Sequence, residues 1–278
     1  MIASQSLSPE DDGDQNNQYV FSILKAAMAL PGAKVDRASF LRAQLKSHCA
    51  DKQVKDAVKT NPAQANVRDD IIDRIADSVI KSHNRKAAAG SFVTGIPGGL
   101  ALALTFPADT VNFIWHAVVL AQKLAYLYVW PDLLQEDSEI DEETQYRIVL
   151  LVGSMLGIGE ANQLLTRIAK KFAGVVVHKL PKYALTKTAY YPIVKTVLKW
   201  VGIKLTKQSY AKGVSKLIPL ASGAIGAGMT SVALRRMARN LKNHLKTLEY
   251  AKPCSDRKPP DGGASDQCND DKPSEDRT

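Results

Sequence analysis

The side chains best placed for chemistry are Asp109 and His116. Asp109 is the only formal charge between Lys86 and Lys123. His116 follows it by seven residues, which puts the two on one face of a helix. A carboxylate and an imidazole on one face suit general acid–base work. Both residue types also have structural uses. In "PADTVN" the Asp109 carboxylate can cap the unpaired N–H groups of a helix start, and a lone histidine on an apolar face commonly belongs to the core. Beyond this pair the chain offers little. His48, His83, His116, His178 and His244 show no i, i+4 pairing with another ligand type, so no zinc motif arises. "GIGEAN", from Gly157, lacks the third glycine of a dinucleotide loop and follows a helical pattern rather than a strand. The chain has no G-x-x-x-x-G-K loop and no G-x-S-x-G elbow. The reading is therefore non-enzymatic, with no cofactor and no metal expected, and Asp109 with His116 as the one pair on which an enzyme could rest.

Charge is more informative. The net charge is +9, yet the first twenty residues carry four acids and no base, and the tail from Lys252 carries seven acids against five bases. Positions 161 to 248 hold seventeen Lys or Arg and no Asp or Glu. A plain solvated face mixes both signs, so a polyanionic partner is expected: an anionic membrane surface, or an acidic or membrane-protein partner. The candidate basic face comprises Lys170, Lys171, Lys195, Lys199, Lys204, Lys207, Arg235, Arg236, Arg239 and Lys242. Tyr183, Tyr190, Tyr191, Trp200 and Tyr210 lie among these cations and could stack on bases; no recognised nucleic-acid module fits, and nucleic acid is the competing reading.

The elements that must position these residues read as helices. "QYVFSILKAAMAL" is one, stopped by Pro31-Gly32. "VDRASFLRAQLKSH" is a second, with Asp36 as N-cap and Phe40, Leu41 and Leu45 on one side. A short helix from Cys49 ends at a Pro-marked turn. In "RDDIIDRIADSVIKSH" the residues Ile71, Ile72, Ile75 and Val79 fall at helical spacing, with acids in the first turn where the macrodipole favours them. Twenty-two uncharged residues then separate Lys86 from Asp109, broken by Pro97-Gly98-Gly99 and Pro107. The next helix, "TVNFIWHAVVLAQKLAYLYVW", is apolar nearly all round and belongs at the centre of a core or in lipid. After the acidic loop "LLQEDSEIDEET" come two helices, "QYRIVLLVGSMLGIG" and "EANQLLTRIAKKFAGVVVHKL", then three basic segments. The last of these sets Leu234, Met237, Leu241, Leu245 and Leu248 on one side, with Arg235, Arg236, Arg239, Lys242 and Lys246 over much of the rest.

The fold class expected is all-α: residues 1–17 a disordered acidic N-terminus, 18–250 one multi-helix domain around a central apolar hairpin, and 251–278 a disordered polar tail. Residues 87–108 and 217–234 are marginal as membrane spans, being interrupted by Pro and Gly. Small residues four apart (Gly153 and Gly157, Gly223 and Ala227, Ala224 and Gly228) suit close helix packing in a soluble core, or association in a bilayer, so an integral or pore-forming protein is a further alternative. Three cysteines and an N-terminus without an apolar h-region point to a reducing, cytoplasmic setting.

"SFVTGIPGGLALALTFPAD", followed by "AQKLAYLY", resembles the EcsC family of bacterial proteins. "VDRASFLRAQL" and "ASGAIGAGMTSVALRRMARNL" are also similar to that family's pattern, and the likeness spans most of 18–248. The matching positions are Gly95, Pro97, Gly98, Pro107, Asp109, Gln122 and Tyr128, read as fold-determining. Val129 stands where the family usually has glycine after the Leu-Tyr pair. The resemblance implies a helical protein with a membrane bias, the family's namesake being linked genetically to an ABC transporter, and it implies no reaction. With the charge pattern, the chain is expected to be cytoplasmic and peripherally associated with the inner membrane.

Overall fold

A computed structural model of the chain describes residues 20–88, 108–128, 130, 133, 142–170, 195–196 and 223–248. The fold is all-α, and no strand occurs among the described residues. The helices are α1 (20–29), α2 (Arg37–Leu45), α3 (Asp51–Lys59), α4 (Asp69–Ala88), α5 (Ala108–Leu127), α6 (Glu142–Met155), α7 (Gly159–Lys170) and α8 (Gly223–Lys246). Both terminal tails lie outside the described residues, as do Gly95, Pro97, Gly98 and Pro107 and with them the first arm of the expected hairpin.

Helix ends fall where local chemistry puts them. Pro31-Gly32 stops α1, and Gly32 takes a left-handed φ of 72°. The Asp36 carboxylate accepts the Ser39 N–H at 2.7 Å, capping α2. That bond holds the Asp36 carboxyl below the usual carboxylate range. The sequence pattern places Gly153 and Gly157 on one apolar helix; the structure corrects this. Gly157 lies beyond the end of α6 with φ 76°. Its N–H donates to Ser154 O (2.9 Å) and the Ile158 N–H to Gly153 O (3.0 Å), the paired bonds of a glycine C-cap. Gly157 therefore ends the helix instead of continuing it, with Gly153 supplying one carbonyl of the cap.

The sequence leaves α5 a choice between core and lipid, and it takes the core. It packs against α2, α4, α6 and α8, and Ala117 to Ala121 and Leu124 to Tyr128 are buried. No helix among the described residues is long and apolar enough to cross a membrane. Two polar side chains of α5, seven residues apart, fasten the α1–α2 connection. Trp115 Nε1 donates to Pro31 O at 3.2 Å. Gln122, fully buried, donates from Nε2 to Ala33 O (2.7 Å) and Val118 O (3.1 Å) while its Oε1 accepts the Val35 N–H (3.1 Å).

Arg37 performs a similar task elsewhere. Its buried guanidinium donates to Val58 O (2.9 Å) and Thr60 O (2.8 Å) at the end of α3, and to Trp130 O (3.2 Å). A cation there satisfies the last carbonyls and complements the helix dipole. At the far end of the core, α8 packs on α4, α5 and α6 through Leu234, Leu241, Leu245 and Leu248, all buried as the heptad-like spacing predicts. Asn240 Nδ2 donates to Met155 O at 3.1 Å, closing the C-terminus of α6.

Candidate anion-binding groove

The acids of α4 recur every four residues at Asp69, Asp73 and Asp77, and Lys81 continues the row. One helical face therefore changes sign along its length. Against that face α8 runs antiparallel and presents Lys246, Lys242, Arg239 and Arg235. Lys246 pairs with Asp73. Lys242 Nζ donates to Asp77 Oδ1 (2.9 Å) and to the Asp73 backbone oxygen (3.3 Å). Tyr128, just past α5, donates its hydroxyl to Asp73 Oδ1 at 2.7 Å. Burial opposes ionisation of Asp73, but the bonds from Lys246 and Tyr128, with the charges of Lys242 and Lys246, outweigh it and hold the carboxyl below its usual range. Burial and the bonded carboxylate together push the Tyr128 hydroxyl up, so it stays a donor.

Beyond Asp77 the pairing stops. Asp77, Ile80 and Lys81 on one side and Arg235, Arg239, Lys242 and Asn243 on the other line an open groove of about 560 Å³. Lys81, Arg235 and Arg239 are exposed, and none of them meets an acid in an ion pair among the described residues. Val232, one turn before Arg235 and Arg236, is a large apolar side chain left 69% exposed.

The structure thus redistributes the basic face read from the sequence. Arg235, Arg236 and Arg239 are exposed on α8, with Arg235 and Arg239 in the groove. Lys242 is a correction: it is buried and tied to α4, so it anchors the helix and is not an open docking cation. Lys170 is exposed at the end of α7 and Lys195 is exposed, but neither lines the groove. Lys171, Lys199, Lys204 and Lys207, and the aromatics among them, lie outside the described residues. Sequence reading missed Lys81, Asp73 and Asp77, whose only signal was their four-residue spacing on α4.

Asp109 is the second residue of α5, its side chain outside the described set. His116 is buried, its ring 4.8 Å from that of Trp115 and 5.9 Å from that of His83. Lys123 Nζ lies 2.9 Å from His83 Nε2, so the ammonium donates to a neutral imidazole. Burial, reinforced by the charge of Lys123, pushes His83 down to about 3. Burial with the charges of Lys86 and Lys123 takes His116 to about 4. Burial also brings Lys123 down to about 8. These groups meet between α4 and α5, with Lys123 also 5.8 Å from the Phe40 ring centroid. Among the described residues, no group of three or more His, Cys, Asp or Glu is arranged to hold a metal ion.

No family model, curated protein or solved structure matches the chain. Fold and groove together define an all-α protein with a cationic, apolar-flanked face on α8, the last helix among the described residues.

Proposed function

We propose that this chain is a non-catalytic, EcsC-like helical protein that docks peripherally on an anionic membrane surface at the cytoplasmic face, through α8. The observation that carries this reading is the company Val232 keeps. An exposed apolar side chain stands one turn from Arg235 and Arg236 and two turns from Arg239. Interfacial docking adds apolar burial to attraction for anionic lipid.

The magnitudes are modest. A basic residue near an anionic leaflet contributes about 1 kcal/mol, so the three arginines supply about 3 kcal/mol. Burying a valine adds roughly 1.5 kcal/mol. A sum near 5 kcal/mol describes reversible, salt-sensitive attachment rather than insertion. The resemblance to the EcsC family, whose namesake is linked genetically to an ABC transporter, suits the same membrane setting.

The test is co-sedimentation of the purified chain with vesicles. Binding to vesicles containing phosphatidylglycerol is expected, with release as salt rises from about 0.1 M to about 1 M and the Debye length shrinks from about 10 to about 3 Å. Equal binding to neutral vesicles, or none to either, would overturn the proposal. Tight, salt-steep binding to single-stranded nucleic acid without vesicle binding would favour the competing reading.

A further inference from the structure

The α4–α8 contact is a ladder with one rung of the wrong sign. Asp73 meets Lys246 and Asp77 meets Lys242. The next position on α4 is Lys81, and it shares the groove with Arg235 and Arg239. Lys81 lies about two turns before the end of α4, whose last-turn bases are Arg85 and Lys86, so the helix dipole accounts neither for it nor for the two arginines across from it. Arg235 and Arg239 are themselves one turn apart, where like charges repel. Lys242 is already committed to Asp77, so the groove carries three positive charges, those of Lys81, Arg235 and Arg239, that meet no acid in an ion pair among the described residues.

We propose that this third rung is a binding site for the phosphomonoester headgroup of a membrane lipid. The inference rests on the docking reading above. A phosphodiester brings one negative charge and two free oxygens. A phosphomonoester brings about −1.5 to −2 and three acceptor oxygens. Two guanidinium forks one turn apart can each hold an oxygen pair, and Lys81 closes on the group from α4. The groove, at about 560 Å³, lies within the roughly 300–1,000 Å³ of small-ligand sites. Asn243 adds a side-chain amide at its wall. The source is a lipid because α8 continues from the arginines to exposed Val232, an apolar neighbour for which a free phosphate has no use.

The experiment compares vesicles doped with phosphatidic acid or with phosphatidylglycerol at equal total charge, against the full chain, Lys81→Glu and the double variant Arg235→Gln, Arg239→Gln. The wild type is expected to prefer phosphatidic acid by about five- to tenfold, the factor carried by roughly one extra unit of charge near a surface. Both variants are expected to lose that preference. Lys81→Glu gives the arginines an acid to pair with, so its thermal midpoint should equal or exceed the wild type's, which separates loss of the site from loss of fold. Equal binding of wild type to both vesicle types overturns this inference and leaves docking standing. Binding to neither overturns both. Preference retained in the double variant overturns the assignment to this groove. Inorganic phosphate that abolishes the preference at millimolar concentration overturns the choice of a lipid source.

Discussion

Gln122→Met is the sharpest test of how the fold is held. The side chain is fully buried and spans from α5 to the α1–α2 connection. Methionine keeps its length and much of its volume but none of its hydrogen bonds. The Val118 oxygen remains within α5, where the helix ladder serves it. The Ala33 oxygen and the Val35 N–H lose the partners that now sit at 2.7 and 3.1 Å. Both residues are buried, so water cannot readily replace the amide. Each unpaired buried group costs about 1–3 kcal/mol, giving about 2–6 kcal/mol for the pair, partly offset by the more apolar side chain. A net loss near 3 kcal/mol follows. In urea, with a slope of about 2–3 kcal/mol per molar, the midpoint should fall by roughly 1 M at unchanged slope. A fall under about 0.2 M would refute the reasoning, because the connection would then be held by something other than this amide. A changed slope would place the effect in the unfolded chain.

The buried imidazoles make the fold acid-sensitive. Unfolded His83 takes a proton near pH 6.5 and folded His83 only near 3, so stability is intact above about 6.5 and is lost as pH falls towards 3. At pH 4.5 the His83 contribution is about 2–3 kcal/mol at about 1.4 kcal/mol per pH unit, with His116 adding to it over a narrower range. Denaturant midpoints across pH 4–7 check this, and a flat profile would count against it. Gly157→Ala should cost about 1–2 kcal/mol for the left-handed backbone alone, because a Cβ there would meet Asn240 Nδ2 at an ordinary 3.6 Å. Gly157→Asn should lose less, since asparagine tolerates that conformation; equal losses in a thermal melt would argue for crowding instead.

Much of the architecture was legible because helix signals are local. Asp36 caps and Gly32 stops for reasons contained within a few residues, and α5 had to be surrounded because no side of it is polar. Gly157 shows where local reading ran short. Glycines four apart serve a packing seam or a helix end equally well, and the choice turned on a backbone torsion that spacing does not record. Arg37 gave no pattern and Gln122 stood out only through the family resemblance, because the carbonyls and amides they satisfy belong to other segments.

By itself, the sequence determined that the chain is helical, that α5 is kept from water in a core or in lipid, and that α8 carries leucines on one side and cations on another. Which of those cations are open was decided only by the tertiary structure. Lys242 and Arg239 are alike in the sequence, both basic and three residues apart. One faces Asp77 and is closed into the fold, while the other shares a groove with Lys81 and meets no acid in an ion pair among the described residues. Charge is a property of a residue, but neutralisation is a property of a pair. Here the partner comes from a helix about 165 residues earlier in the chain.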